Sequence, residues 1–248
     1  MSGIFRVGGA AYDAFMGRYS KRLAPLFADF GGARSRERVL DVGAGTGALT
    51  EALLERGCEV AAAEPSPEFC AALRRRFPEL EVHEAPAEEL PFTDGSFDAA
   101  LAQLVVAFVA DAPRAVAEMA RVARRVAVCM WGLEEVQMFA AINGTAEAVG
   151  VDRSAEPRPY RTAQELHDLL APLGEVDSAE LDIVAPYADF ADFWHALELQ
   201  VGPAGAWLAS LDGDRRSAAH EELFRRLGSP AGAFELKARA FAVAVTPA

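Results

Sequence analysis

A buried apolar strand that runs straight into a glycine-rich turn decides the fold of this 248-residue chain: Val39-Leu40-Asp41-Val42-Gly43-Ala44-Gly45-Thr46-Gly47. Glycine permits a tight turn and allows a ligand to approach the backbone closely. The helix that follows directs its first amide groups toward such a ligand. Because Gly43-x-Gly45-x-x-Ala48 also satisfies the fingerprint of dinucleotide-binding proteins, these glycines alone leave the class of ligand open.

Short apolar runs alternate with amphipathic stretches through the middle of the chain. The runs predict strands at Arg38–Val42, Glu59–Ala63, Glu81–Glu84, Phe97–Gln103 and Arg125–Trp131. The stretches between them predict helices near Gly47–Arg56, Ser66–Phe77 and Ala112–Ala123. This alternation is typical of right-handed βαβ units, and therefore of an α/β protein with a doubly wound, mostly parallel sheet covered on both faces.

The two ends of the chain add helices and two further strands. A helical pattern covers Ala10 to Phe30, and others follow near Glu135–Val149 and Thr162–Ala171, where Thr162 and Glu165 form a capping-box signature. A strand near Val176–Ala185 precedes a helical insertion. The last run, Phe234 to Val245, alternates at first and then becomes apolar on both faces. We therefore expect the C-terminal strand to end inside the sheet.

An acidic residue closes the second predicted strand. Glu64 stands 21 positions after Gly43. A carboxylate at this place can accept hydrogen bonds from both ribose hydroxyls of a nucleoside. Nicotinamide cofactors and S-adenosylmethionine would both use it, so Glu64 does not separate the two.

A third motif separates them. The segment Ala87-Glu88-Glu89-Leu90-Pro91-Phe92 leads through Asp94-Gly95-Ser96 into the strand Phe97-Asp98. With the glycine loop and Glu64, in this order and spacing, it resembles the class I S-adenosylmethionine-dependent methyltransferases, especially the ubiquinone and menaquinone C-methyltransferases. The resemblance is firm from Arg38 to about Arg124. It implies a Rossmann-like seven-stranded sheet with an antiparallel C-terminal strand, and S-adenosyl-L-methionine as cofactor.

The resemblance assigns roles around the cofactor. Gly43, Ala44 and Gly45 would approach the methionine part, Asp41 would hold the loop, and Glu64 would bind the ribose.

The remaining cofactor contacts would come from later segments. Pro65 would lie beside the adenine, Ala87 and Glu88 would meet its edge, and Gln103 would line the methionine side. Pro86 stands where the family often has an acid, which removes one possible hydrogen bond to the adenine.

The segment Tyr12 to Tyr19 resembles the helical flap that covers the cofactor in such enzymes. Arg18 is a candidate partner for the methionine carboxylate, because guanidinium binds carboxylates in a bidentate fork. Tyr12 and Tyr19 can offer aromatic faces to the sulfonium or substrate, and core packing of the helix is the alternative.

Methyl transfer requires alignment of the acceptor rather than a protein nucleophile, and no nucleophilic triad is evident. A base helps if the acceptor is a hydroxyl or an activated carbon, and His195 on the helical insertion is our first candidate. Phe108, Trp131 and Trp194 are candidates to line the substrate pocket, with core packing as the alternative for each. They favour a small apolar or aromatic acceptor.

Composition limits the partners. The formal net charge of −13 disfavours a nucleic-acid substrate, and the absence of a D/N-P-P-Y/F motif argues against methylation of base amino groups. No apolar run approaches the ~20 residues of a membrane span, and Met1 to Arg6 lack the features of a signal peptide. Three separate cysteines favour reduced thiols in a cytoplasm over a disulfide or a metal site.

We expect one domain, residues 1–248, acting as a monomer or homodimer on a small molecule. It would comprise an N-terminal helical flap (1–35), a cofactor-binding core (36–131) and a helical lid insertion (189–230), here called the flap, the core and the insertion. Two alternatives stay open: an NAD(P)-dependent oxidoreductase, although no Tyr-x-x-x-Lys pair occurs, and a methyltransferase-like protein that binds the cofactor without transferring methyl.

Overall fold

The computed structural model describes residues 9–151 and 159–247, so residues 1–8 of the predicted flap lie outside the described residues. The strands are β1 (Arg38–Val42), β2 (Glu59–Ala63), β3 (Glu81–His83), β4 (Ala99–Gln103), β5 (Val126–Trp131), β6 (Val176–Tyr187) and β7 (Phe234–Val245). The helices are α1 (Gly9–Phe15), α2 (Gly17–Phe30), α3 (Ala48–Glu55), α4 (Pro67–Arg76), α5 (Ala112–Val122), α6 (Gln137–Ala148), α7 (Ala163–Leu170), α8 (Phe190–Glu198), α9 (Gly202–Ala209) and α10 (Gly213–Arg226).

The strands form one seven-stranded sheet in the order β3-β2-β1-β4-β5-β7-β6. Strands β1 to β5 run parallel to their neighbours, whereas β7 runs antiparallel to both β5 and β6. At its end, Val245 pairs with Val126 on one side and Val176 on the other. The predicted α/β class and the C-terminal strand inside the sheet are confirmed. The apolar end of β7 follows from burial on both faces.

The predicted bounds differ from the structure in a few places. Strand β4 begins at Ala99, because Phe97 makes only an isolated bridge to Ala123. Strand β6 continues two residues beyond the predicted end, to Tyr187. The predicted helix from Ala10 to Phe30 is divided at Met16 into α1 and α2. The division lets α1 reach the glycine loop while α2 lies on the sheet.

Two buried layers hold helices to the two faces of the sheet. On one face, the strands pack against α2, α3, α6 and α8 to α10. On the other, they pack against α5 and α7. Alternate strand residues serve opposite layers: Leu101 and Cys129 face α2, whereas Ala100 and Val128 face the other way. The face under α2 is the one on which the candidate site is completed.

Capping interactions fix the N-terminal ends of two of these helices. The α7 capping box is present, with Glu165 N donating to Thr162 Oγ1 at 3.2 Å and Thr162 N to Glu165 Oε2 at 3.0 Å. Asp189 caps α8 by accepting from Asp192 N at 2.8 Å. Within residues 9–151 and 159–247, no helix has the length and apolar character needed to cross a membrane.

Candidate cofactor and acceptor site

The glycine loop between β1 and α3 is built from three left-handed residues. Gly43, Gly45 and Gly47 have φ angles of 69°, 56° and 87°. A Cβ on Gly43 would lie 2.6 Å from Val105, and one on Gly47 would lie 2.6 Å from the Phe77 ring. Gly45 has open space instead, since its Cβ would meet nothing nearer than 4.0 Å. Two glycines therefore permit packing, and Gly45 leaves a space that a ligand can fill.

Asp41 ties the last turn of β1 to α3. Its side chain is buried and accepts a hydrogen bond from Thr50 Oγ1 at 2.6 Å. Burial raises the pKa of Asp41 to about 7, although the hydrogen bond from Thr50 opposes this rise. The carboxyl group thus fixes the start of the glycine loop relative to the helix that follows.

Glu64 lies at the carboxyl end of β2, directly beside the loop. It is buried, and its two oxygens accept from Gly45 N and Ser66 N, each at 2.9 Å. Burial raises its pKa, and these two N–H groups act in the opposite direction. An ionised carboxylate offers about four lone-pair sites. Two remain on Glu64, as binding of a pair of ribose hydroxyls requires.

The segment before β4 is held against the start and end of α5. Ala87 is buried, and Glu88 Oε1 accepts from Ala110 N at 2.7 Å and from Asp111 N at 3.2 Å. Glu88 therefore also fixes the loop after β4, a role that the sequence did not indicate. Pro65, next to Glu64, is exposed.

Gln103 ends β4 beneath α2. Its Nε2 donates to the carbonyl oxygen of Ser20 at 3.1 Å. Three buried atoms in this place, Gln103 Oε1, Trp131 Nε1 and Ser20 Oγ, find no hydrogen-bond partner among the residues that the structure describes. An unpaired buried polar atom costs about 1–3 kcal/mol. Such a group of atoms is typical of a place that receives a ligand or water.

Comparison with known proteins identifies the core. Residues 40–130 match the family model described as a methyltransferase domain. The core therefore resembles a methyltransferase domain. The chain is 38% identical over 136 residues to an uncharacterized methyltransferase of Mycobacterium tuberculosis, covering 51% of this chain and 55% of the relative. It is 41% identical over 93 residues to the demethylmenaquinone methyltransferase of Beutenbergia cavernae, covering 38% and 39%. The chain thus spans about half or less of the length of these relatives.

Solved structures share the fold over most of the chain. The cyclase SpnF aligns with a TM-score of 0.60 and 19% identity, covering 99% of this chain and 87% of SpnF. A phosphoethanolamine N-methyltransferase of Haemonchus contortus, solved with S-adenosylhomocysteine, aligns with a TM-score of 0.58 and 17% identity, covering 97% and 57%. Both likenesses show the fold of the methyltransferase domain and its additions.

Helix α1 lies against the glycine loop between β1 and α3. Asp13 accepts a hydrogen bond from Thr46 Oγ1 at 2.6 Å, and the Tyr12 ring meets Phe69 of α4 edge-on, with 6.0 Å between centroids. Burial raises the pKa of Tyr12 to about 12, and the charges of Asp13 and Glu64 add to it. The structure therefore places Tyr12 beside α4, next to the glycine loop. The contact between Asp13 and Thr46 was not predicted.

Arg18 joins the flap to the insertion. Its guanidinium binds Asp192 of α8 in a bidentate pair at 2.7 and 2.5 Å, and it also donates to the backbone oxygens of Ala14 and Pro186, each at 3.1 Å. It lies over the Tyr187 ring, 4.6 Å from the centroid. The hydrogen bonds hold the pKa of Asp192 below its usual range. Arg18 is thus paired here with a carboxylate of the protein itself.

Two buried tyrosines join under this ion pair. The hydroxyl groups of Tyr19 and Tyr187 lie 3.1 Å apart. The Tyr19 ring meets the Trp131 indole edge-on, with 6.1 Å between centroids. The structure therefore brings Tyr19 and Trp131 together, with Tyr187 added. Tyr187 was missed because it ends a strand with no motif around it.

The other candidates lie further out. The His195 side chain is 73% exposed, with Nδ1 3.8 Å from Glu198. Trp194 is half-buried within the insertion, where its Nε1 donates to Glu198 Oε1 at 2.9 Å and its ring meets His220. Phe108 is half-buried in the loop after β4. The roles predicted for His195, Trp194 and Phe108 remain predictions.

Cysteine side chains and possible metal ligands are the other reactive groups of the described residues. Cys58, Cys70 and Cys129 are free and buried. Within the two described ranges, no group of three or more His, Cys, Asp or Glu side chains is arranged to hold a metal ion.

Proposed function

We propose that the whole chain transfers a methyl group from S-adenosylmethionine to a small, apolar or aromatic molecule, on oxygen or on carbon. The observation that carries this proposal is the group of buried polar atoms beneath α2 that have no partner in the described residues, on Ser20, Gln103 and Trp131; we call this place the chamber. The chamber adjoins the cofactor loop, because Val105, two residues after Gln103, packs against Gly43. An acceptor in the chamber would thus lie beside the cofactor.

The residues around the loop fit the cofactor. Glu64 has lone pairs left for ribose hydroxyls, Gly45 leaves space beside the backbone, and Gln103 borders the methionine side. When bound, the cofactor supplies a methyl group on a sulfonium, which is an excellent leaving group. Asp41, Ala44, Pro65, Ala87 and Glu88 complete the proposed binding set.

The protein's own contribution is alignment and exclusion of water. Alignment of reacting groups can supply up to about 7–11 kcal/mol. Helices α1 and α2 cover the loop and the chamber, and the Arg18–Asp192 pair fastens them to the insertion. His195 stays our candidate base, and that role requires its ring to come within hydrogen-bond reach of the acceptor.

The nicotinamide alternative fits the sheet poorly. Dinucleotide-binding sheets of this type have the strand order 3-2-1-4-5-6. Here the antiparallel strand β7 is inserted between β5 and β6. A protein that binds the cofactor without transferring methyl stays the second candidate, because a fold does not fix a reaction.

Cofactor binding tests the proposal first. We expect S-adenosylhomocysteine, and neither NAD nor NADP, to raise the melting temperature. Glu64→Gln should weaken S-adenosylhomocysteine binding at least tenfold, because an amide would turn a donor toward Gly45 N or Ser66 N. Glu89→Gln, an exposed acid on the Ala87–Phe92 segment, is the matched control.

Transfer is tested by incubating the protein with methyl-labelled S-adenosylmethionine and a library of phenols, enols and quinols. Label in an organic product supports the proposal. Tight cofactor binding without labelled product would favour the second candidate, and a thermal shift with NAD or NADP alone would reject both.

A further inference from the structure

We propose that the chamber beneath α2 recognises a hydroxyl group on the acceptor, with Gln103 Oε1 accepting its proton in a hydrogen bond and Trp131 Nε1 donating to its oxygen. This inference rests on the proposed function, since it names the chemical group by which the acceptor is selected.

Sheet register places the two groups on one face. Gln103 pairs with Cys129 across β4 and β5, and Trp131 lies two residues beyond Cys129. Alternate residues of a strand share a face, so Trp131 and Gln103 project to the same side. Consecutive residues of α2 cover them: Ser20 O accepts from Gln103, and the Tyr19 ring contacts the Trp131 indole.

The orientation of the Gln103 amide is fixed by its neighbour. The Ser20 carbonyl oxygen is an acceptor, so the atom 3.1 Å from it must be the amide nitrogen. Oε1 is therefore the amide atom that makes no bond to Ser20, and it is buried without a partner among residues 9–151 and 159–247. The same holds for Trp131 Nε1, which can only donate.

These atoms differ from some of the other buried atoms that lack a partner. Two of the latter are the Nε atoms of Arg56 and Arg125, whose guanidinium groups are otherwise paired, with Asp29 and Glu37. Gln103 Oε1 is the whole acceptor capacity of its side chain, and Trp131 Nε1 is the whole polar content of its own. The chamber thus combines one unmet acceptor, one unmet donor and the Ser20 hydroxyl, which can serve as either.

The combination selects the ligand group. A carbonyl or ether oxygen would satisfy Trp131 and leave Gln103 unpaired, and an ammonium group would do the reverse. A hydroxyl donates and accepts at once, so it satisfies both. The nearby Ser20 Oγ can rotate to donate or accept. The Tyr19, Leu104 and Trp131 side chains belong to one apolar layer, which suits an aromatic body for that hydroxyl.

The test uses three naphthalenes as probes, with the protein saturated by S-adenosylhomocysteine. The probes are 2-naphthol, 2-methoxynaphthalene and 2-methylnaphthalene. Calorimetry should show 2-naphthol binding about tenfold tighter than 2-methylnaphthalene, with the methoxy compound between them. In Trp131→Phe and in Gln103→Met the preference should fall below about twofold, while Gln164→Met on the exposed face of α7 should retain it.

A signal from the unaltered protein makes the test independent of the variants. The chain has three tryptophans, so a nitrogen-15 spectrum holds three indole signals, and Trp131→Phe identifies one. 2-Naphthol should move the Trp131 indole proton downfield, while Trp194, already donating to Glu198, should not respond.

The outcomes distinguish failure of the hydroxyl subsite from failure of the proposed function. An unmoved Trp131 signal, equal affinities for the three probes, or no binding of any probe would overturn the hydroxyl subsite, provided that the Gly43 and Gly45 amides respond to S-adenosylhomocysteine. If those amides do not respond either, the proposed function itself fails.

Discussion

The cofactor loop and the chamber beneath α2 are adjacent, yet their polar groups are treated in opposite ways. Around the loop, Asp41 and Glu64 are both buried and hydrogen-bonded, and Asp13 is bonded to Thr46. In the chamber, Gln103 Oε1 and Trp131 Nε1 are buried without a partner in the described part of the chain.

Under the proposed function, the difference reflects what each region would bind. A loop that serves a constant cofactor can be held ready by the protein's own hydrogen bonds. A chamber that must select among acceptors leaves its polar atoms to be paired by the correct ligand, and a ligand that cannot pair them is rejected. Substitutions in and around the two regions can test this contrast.

Gly43→Ala should have the largest effect. It adds a Cβ 2.6 Å from Val105 at a φ of 69°, which should lower the free energy of unfolding by roughly 2–5 kcal/mol and abolish binding of S-adenosylhomocysteine. Gly45→Ala, at a φ of 56° with open space, should cost only about 1–2 kcal/mol and still weaken binding. Urea unfolding and calorimetry measure both, and equal stability losses would contradict the packing argument.

Asp41→Asn should change how stability depends on pH. The pKa of Asp41 rises from 3.8 to about 7 on folding, so the folded protein binds this proton more tightly than the unfolded chain. The stabilisation is complete below about pH 4 and is lost as pH rises through 7. Between pH 4 and 8 the variant should therefore gain on the order of 4 kcal/mol relative to the parent. Urea titrations over this range test it, and parallel profiles would show that the shift is absent.

Asp192→Asn should release the flap from the insertion. Both charged side chains are about a quarter exposed, at 24% and 28%, so solvent screening limits the loss of stability to about 1 kcal/mol. Faster hydrogen exchange of the α8 amides should accompany it. If Arg18 serves only this contact, Asp192→Asn and Arg18→Lys should weaken S-adenosylmethionine binding equally.

The same pair of variants tests the predicted role of Arg18 at the methionine carboxylate. That role requires Arg18→Lys to lower the affinity for S-adenosylmethionine and Asp192→Asn to leave it unchanged or raise it, because the guanidinium is then freed.

His195→Gln should change stability least. The side chain is 73% exposed, so the free energy of unfolding should move by less than about 0.5 kcal/mol. Its effect on kcat/KM then decides the catalytic prediction. A loss of about a hundredfold or more supports a general base, and an unchanged value rejects it.

Local sequence predicted most of the cofactor half. Strands β1 and β2 and the tight glycine turn each depend on a few contiguous residues, so their patterns are visible without the fold; the same holds for the capping box of α7 outside this half. The division of the flap at Met16 was missed because the apolar spacing continues through it. Glu88 was read as an adenine contact, and its hydrogen bonds to Ala110 N and Asp111 N depend on a loop 22 positions away.

Short stretches of sequence were enough to predict the α/β class, the glycine loop, Glu64 at the end of β2 and the interior position of β7, because backbone conformation and burial on both faces constrain residue types locally. Three other features became visible only in the folded chain: Arg18 meets Asp192, Tyr19 meets Tyr187, and Gln103 and Trp131 lie together beneath α2. The first of these pairs is separated by 174 positions. No local pattern encodes such contacts, because they result from how α2 and the insertion pack on the finished sheet.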